Sequence, residues 1–343
     1  MSISTVQQAF EEFERTSVRV ADVENRAAKR VQAEFREAVQ KALGAWYADS
    51  FLAGSYRRKT QAVHLKDLDI VIVLNDPTGE LRASPSGALA LMKGAAHTYS
   101  LVRHVEVKCR AVECELDGHS FWADLVPALQ DGRGGLLLAY VDRKEGIEEW
   151  RPADPKGQVA ACQAKNAATD GAYVPVTRIC KFWNQSFTSS PSQEKPMPSY
   201  LVEAILHDAL SGSCDWSDAV LAFFENAERH LSLPYPSVPC PGKSTDYVDE
   251  KLEDPRRLKA LAKVQTVLPY VRAAANETDP YKAMDAWVFV FGQSFPAPST
   301  KPGLIAKALR NRTATVVGTG VSVSSSGRQP IPVRSHGPAP TES

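Results

Sequence analysis

The chain has 343 residues, 43% hydrophobic and 23% charged, an ordinary globular composition with apolar material for one large domain or two moderate ones. Forty Lys and Arg balance forty Asp and Glu, so no overall positive field favours a long nucleic acid, and none is expected as a partner. The N-terminal "MSISTVQQAFEEFERT" lacks a signal peptide's apolar core and runs such as "IVIVL" are too short to span a bilayer, so the reading is a cytoplasmic protein without a membrane partner.

Residues 3 to 43 contain no proline, and "VENRAAKRVQAEFREAVQKAL" repeats apolar residues at spacings of three and four, which predicts long amphipathic helix bracing the rest of the lobe. "DLDIVIVL" predicts a strand, Asn75 to Gly79 a turn, and "SPSGALALMKGAAHTYS" a helix. "LVRHVEVKCRAVECELDGHSFWADLVPAL" alternates apolar and polar residues on either side of Asp117-Gly118, which predicts two antiparallel strands.

From Pro175 onward the period becomes helical, in "VPVTRICKFWNQSF", "SYLVEAILHDAL", "WSDAVLAFFENAERHL", "DPRRLKALAKVQTVLPYVRAA" and "DPYKAMDAWVFVFGQSF". The Pro-rich "SLPYPSVPCPGKSTDYVDEKLED" between them reads as a long surface connection on the cleft rim. Residues 313–343 are rich in Ser, Gly and Pro and read as a flexible tail. The six cysteines form no C-x-x-C pair, so reduced thiols are preferred to a zinc site.

Chemistry concentrates at "GSYRRKTQAVHLKDLDIVIVL". Asp67 and Asp69 share one strand face, with α-carbons about 6.6 Å apart from the rise per residue, while Leu68, Ile70 and Ile72 take the other. Neighbouring carboxylates repel unless a cation sits between them, and the hard oxygen-seeking candidate is Mg²⁺; the alternative is turn or cap chemistry at a strand start. Gly54-Ser55 permits close backbone approach, and Ser55 can open a short helix toward phosphate. Asp124, on a face with Trp122 and Val126, offers a third carboxylate, and three acids facing such a turn suggest two-metal phosphoryl chemistry.

Gly54-Ser55-Tyr56, Thr60, Asp67-Leu68-Asp69 and Asp124 resemble the signature of the polymerase-beta-type nucleotidyltransferase superfamily. Within it, "GSYRRKTQAVHLKDLDIVIVL", "RICKFWNQSF", "PSYLVEAIL" and "AWVFVFGQSFP" resemble the bacterial CD-NTases, relatives of cGAS and oligoadenylate synthase. The resemblance spans residues 40 to 312 and implies an α+β fold, with a mixed-sheet catalytic lobe, an all-helical second lobe and the active site in the cleft between. The boundaries are 1–170 for the nucleotidyltransferase domain, 171–312 for the helical domain and 313–343 for the tail.

The resemblance further implies two Mg²⁺ ions, replaceable by Mn²⁺, on the catalytic Asp67, Asp69 and Asp124. It implies nucleotide binding by Gly54, Ser55, Lys181 and Ser199, nucleoside triphosphate substrates with ATP among them, and a cyclic di- or trinucleotide product read by a downstream effector in anti-phage signalling. Companion regulatory proteins are implied as well, with the tail as their handle, although the chain ends in Ser343 rather than Gly or Ala.

On residue chemistry, Lys181 either snorkels past the core or enters the cleft, Ser199 reads by default as a helix N-cap, and Trp183 and Tyr200 read as packing before base stacking. Arg57, Arg58 and Lys59 line a phosphate channel or a solvated face, and neither His64 nor His119 is required. Competing functions are a nucleotidyltransferase that modifies a protein, small molecule or RNA acceptor with single nucleotides or a short tail, and a silent nucleotide-binding scaffold.

Overall fold

The computed structural model describes residues 3–187 and 195–296. The tail at 313–343 and the last part of the expected helical domain, 297–312, lie outside the described residues. None of the described helices is long and apolar enough to cross a membrane.

The chain opens with α1 (Val6–Phe13), started by a capping box in which Thr5 accepts from the Gln8 amide and the Gln8 side chain returns the bond. One helix was expected over residues 3 to 43, and two are found. A π turn at Glu14–Val18 ends the first, Arg19 turns extended, and α2 (Asp22–Leu43) starts afresh. The break has an electrostatic reason: Glu14 is 1% exposed and accepts from Arg19 at 2.7 Å and from Arg178, which a continuous helix would not permit. The break also lets each helix reach a different core. Phe10 and Phe13 pack among the residues of the helical half, whereas Val31, Phe35 and Val39 pack on the sheet.

The sheet half continues with β1 (Tyr47–Leu52), α3 (Gly54–Arg58), β2 (Asp67–Leu74), α4 (Glu80–Ala83) and α5 (Pro85–Ala96), whose first turn Ser84 caps by accepting from the Gly87 amide. Then come β3 (Val102–Val107), β4 (Val112–Leu116), β5 (Trp122–Gln130), β6 (Leu136–Asp142) and β7 (Ile147–Ala153). The seven strands form one mixed sheet in the order β1-β2-β5-β4-β3, with β6 on the far part of β5 and β7 beyond it. The strands around Asp117-Gly118 pair antiparallel as expected, joined by a loop longer than a two-residue turn, with Gly118 at φ 71°. Local pattern did not give the parallel pairing of β2 with β5.

The second half is helical: α6 (Pro155–Ala168), α7 (Tyr173–Gln185), α8 (Ser199–Ala209), α9 (Trp216–Leu231), α10 (Asp254–Ala275) and α11 (Pro280–Phe291). The Pro-rich connection before α10 carries a small hairpin, β8 (Pro239–Cys240) with β9 (Lys243–Tyr247). Buried Asp249 anchors it by accepting from the Ser237 and Val238 amides. Trp183 is a core residue, 4.6 Å from Phe224 between ring centres.

Removing one partner from a buried charge cluster strands the rest. Glu14→Ala is therefore expected to cost about 2–4 kcal/mol in chemical denaturation, because Arg178 loses its carboxylate beneath the seam between the two cores. A cost below about 1 kcal/mol would show that the network does not join them.

Candidate active site

Parallel register fixes the acids. β2 and β5 pair Asp67 with Trp122, Leu68 with Ala123 and Asp69 with Asp124, so Asp69 and Asp124 stand side by side on one face and Asp67 lies two residues along it. The alternating Leu68, Ile70 and Ile72 are buried in the sheet–helix core and hold this face outward. Asp124 is no edge residue, since β5 has β2 on one side and β4 on the other.

The acids raise one another's proton affinity. Burial first, and then the charge of Asp67, push Asp69 up to about 6. Burial, followed by Asp69 and Asp67, pushes Asp124 up to about 7. Asp124 also buries Oδ1 without a hydrogen-bond partner among the described residues. A stranded acceptor between mutually repelling acids suits hard divalent cations, which need oxygen donors and cancel the repulsion. The described side chains form no ready-made cluster of three acidic, His or Cys ligands around one point. Mg²⁺ is commonly held by one or two carboxylates together with other oxygens, and Asp67, Asp69 and Asp124 supply carboxylates of that kind.

Gly54 opens α3 at φ +61°, and a Cβ there would lie 1.5 Å from Asp69 Oδ2. Both facts demand glycine: a side chain would occupy the position of the carboxylate. The Ala53 amide bonds to the Asp69 carbonyl at 2.9 Å, pinning the turn to the strand. Gly54 and Ser55 thus begin a short helix beside the acids.

A cleft of about 290 Å³ joins these elements, lined by Gly54, Ser55, Asp67, Asp69, Lys181 and Ser199, among others. Six of the seven residues expected at the site meet there; Asp124, beside Asp69 on the same face, is not among the lining residues. Ser199 is the first residue of α8, not its N-cap, because Pro198 precedes it in extended geometry; its Oγ instead accepts from Lys195 Nζ at 3.2 Å. Lys181 is 4% exposed and spends three donors on Glu203 at 2.5 Å, the Thr60 carbonyl at 3.0 Å and the Thr60 hydroxyl at 3.4 Å. It lies in the cleft wall with its ammonium already satisfied by protein.

Sequence reading missed Glu203, hidden as one letter inside the apolar "SYLVEAIL". It is 1% exposed and ion-paired to both Lys181 and Arg58, the latter at 2.8 Å. Burial pushes its carboxyl up, and the two cations more than reverse this, holding it below the usual carboxylate range. Arg58 is therefore neither solvated nor a free channel cation, and its guanidinium also lies 5.0 Å from the Tyr200 ring centre. Lys195 was missed too: burial, with Lys66 and Lys181 nearby, lowers its ammonium to about 8. His64 lines the cleft, while His119 packs on Phe121.

A glycine-opened turn against an Asp-x-Asp strand, with a third acid in register on a parallel neighbour, is the arrangement that the resemblance to polymerase-beta-type nucleotidyltransferases implies. Residues 4–166 match the Second Messenger Oligonucleotide or Dinucleotide Synthetase domain. The chain is 24% identical over 271 residues to the cyclic AMP-AMP-AMP synthase of an Acinetobacter strain, covering 73% of each. Its fold is similar to that of Vibrio cholerae DncV, with a TM-score of 0.67 at 14% identity over 86% of this chain and 97% of that one. It is likewise similar to Escherichia coli MS115-1 CdnC solved with ATP, with a TM-score of 0.65 at 16% identity over 85% and 99%. That CdnC has also been solved in a complex with HORMA-deltaN. The chain is thus similar to the bacterial CD-NTases, a family of cyclic nucleotide synthases, with its residues 4–166 matching the synthetase domain.

Gly54→Ala is expected to lower nucleotidyl transfer at least about a hundredfold, the cost of ångström-scale misplacement at a reacting centre. A variant that keeps its melting temperature and full activity would contradict the contact with Asp69.

Asp124→Asn should show the opposite sign in stability. An acid whose affinity for protons is raised on folding destabilises the fold once ionised, so the penalty develops as pH rises from about 4 through about 7. In EDTA at pH 8 the variant should be more stable by on the order of 2 kcal/mol, and this gain should shrink toward zero near pH 4. Equal stabilities at both pH values would mean that the three acids do not strain the fold.

Proposed function

We propose that the enzyme condenses nucleoside triphosphates, ATP among them, into a cyclic di- or trinucleotide, releasing pyrophosphate at each bond, as a second messenger in anti-phage signalling. The observation that carries this reading is the in-register Asp69–Asp124 pair with Gly54 fitted against Asp69. The synthase name of the Acinetobacter relative supports the product class. Cyclisation needs a cleft that accepts short nucleotides rather than a polymer, and the balanced charge of the chain agrees with that.

Asp67, Asp69 and Asp124 would hold two Mg²⁺ ions, or Mn²⁺ in their place, which when bound would neutralise phosphate charge and ease deprotonation of the attacking ribose hydroxyl. Gly54 and Ser55 would receive the terminal phosphates through the backbone amides at the start of α3 and the Ser55 hydroxyl. On the opposite wall Lys195, held at Ser199, carries the positive charge best able to reach a phosphate, since Lys181 is engaged by Glu203 and Thr60. Lys181 acts on nucleotide by fixing that wall. The downstream partner would recognise the cyclic product, and the HORMA complex of CdnC motivates a regulatory companion for this chain also. Action in the cytoplasm, where triphosphates are abundant, completes the reading.

The test is incubation of the full chain with four labelled ribonucleoside triphosphates and Mg²⁺ or Mn²⁺, followed by phosphatase and separation. A phosphatase-resistant product that disappears in Asp67→Ala/Asp69→Ala is expected, and omission of single nucleotides would name the bases. A label that instead ends on a protein or RNA acceptor would replace cyclisation with acceptor modification.

A further inference from the structure

Nucleotidyl transfer is an in-line displacement, so the attacking hydroxyl and the leaving pyrophosphate stand on opposite sides of the phosphorus. The leaving side is fixed by Gly54, which follows β1 and packs against Asp69 on β2. In the strand order β1-β2-β5-β4-β3, the nucleotide that supplies the hydroxyl therefore approaches over β5 and β4, beyond the acids. The cleft of about 290 Å³ has no lining residue on either of those strands, so this flank lies outside it.

Strand register decides what such a nucleotide meets. Trp122 pairs with Asp67 across to β2 and with Glu115 across to β4, and it shares the acid-bearing face with Asp124 two residues on. From strand and residue spacings its α-carbon lies about 5 Å from that of Asp67 and about 7 Å from that of Asp124. Trp122 is 45% exposed, and among the exposed large apolar side chains of the described residues it alone belongs to the seven-stranded sheet. Its amide bonds to the Lys66 carbonyl at 2.8 Å, so the indole stands on a fixed strand end beside the acids.

The rest of the flank disfavours phosphate. Glu113 stands opposite Asp124, Glu115 opposite Trp122, and Glu106 on β3 opposite Glu113. The cations beside them are already engaged, Arg103 by Glu115, and Lys108 by Glu106 at 2.6 Å and Glu113 at 3.5 Å. Carboxylates in excess over cations repel a triphosphate but accept an uncharged ring. An exposed indole supplies the matching surface, because every nucleobase has a π face that stacks on an aromatic side chain.

We infer that Trp122 is the platform on which the base of the acceptor nucleotide stacks, bringing its ribose hydroxyl beside Asp124. The assignment rests on the nucleotidyl-transfer reading and adds the class of acceptor to it. A protein or small-molecule acceptor needs no base platform, whereas a nucleotide gains its orientation from one. Stacking tolerates any base, so Trp122 selects nucleotides as a class and leaves the choice among bases to hydrogen bonds.

Indole fluorescence tests this without turnover. The full chain with Mg²⁺ is titrated with the α,β-methylene analogues of the four ribonucleoside triphosphates, one at a time, with and without inorganic tripolyphosphate to fill the Gly54-Ser55 turn. At least one analogue is expected to quench emission saturably, the quench persisting in tripolyphosphate and vanishing in Trp122→Phe. In the labelled-triphosphate assay Trp122→Ala should lower the rate at subsaturating nucleotide about five- to hundredfold, the range of one base–aromatic stack, chiefly by raising half-saturation. Trp122→Phe, which still offers a ring, should keep at least about a third of the rate. Trp122 is exposed, so both variants should melt as the wild type does. No quench by any analogue, a quench abolished by tripolyphosphate, which would assign the base to the donor, or equal losses in Trp122→Phe and Trp122→Ala would overturn the assignment. A wild type that shows the persistent quench yet forms no cyclic product would count against cyclisation while supporting the platform.

Discussion

The cleft depends on one buried carboxylate. Glu203 on α8 is shared by Lys181 of α7 and Arg58 of α3, so an acid from the helical lobe grips the glycine turn of the sheet lobe. Two cations around one anion leave a net positive charge beside three acids, and Arg58 lowers the proton affinity of Asp69 against the combined pressure of burial and Asp67. The same contacts therefore hold the lobes together and offset part of the repulsion at the three acids. A buried ion pair is often neutral for stability alone, and its use here is positional.

The acids themselves form a strained arrangement that folding energy elsewhere must support. Asp69 and Asp124 are held side by side by strand register, not by mutual attraction, and the apolar residues between them on β2 and β5 lie in the sheet–helix core. This is the condition under which activity and stability trade against each other. The Gly54 contact adds a steric constraint, because the turn packs onto Asp69 closely enough to exclude even a methyl group.

A second interlock lies at the start of the chain. α1 belongs to the helical core and α2 to the sheet core, and Glu14 at the break is bound by Arg19 beside it and by Arg178 from α7. α3 sits between this network and Glu203. The residues flanking both of its faces, Arg58 on one and Arg57 with Lys59 on the other, thus line separate cavities.

Local pattern by itself determined most elements. The helices at "SPSGALALMKG" and from "VPVTRICKFWNQ" onward, the strand at "DLDIVIVL" and the pairing across Asp117-Gly118 arise from periodicity, caps and turn residues, which act over a few positions. The acids and Gly54-Ser55 were legible because each is an exception to its surroundings: charge at the mouth of an apolar strand, and glycine before a short basic helix. The break at Glu14–Val18 was hidden, because Glu14 is held there by an arginine far along the chain, at position 178, as well as by Arg19. Glu203 and Lys195 were hidden for the same reason, since the value of a buried charge lies in partners that only packing supplies. Sequence chose the chemical groups and the secondary structure that presents them. Tertiary structure alone decided that β5 runs parallel to β2, and so that Asp124 faces Asp69, because strand pairing across a long crossover is a property of the whole sheet.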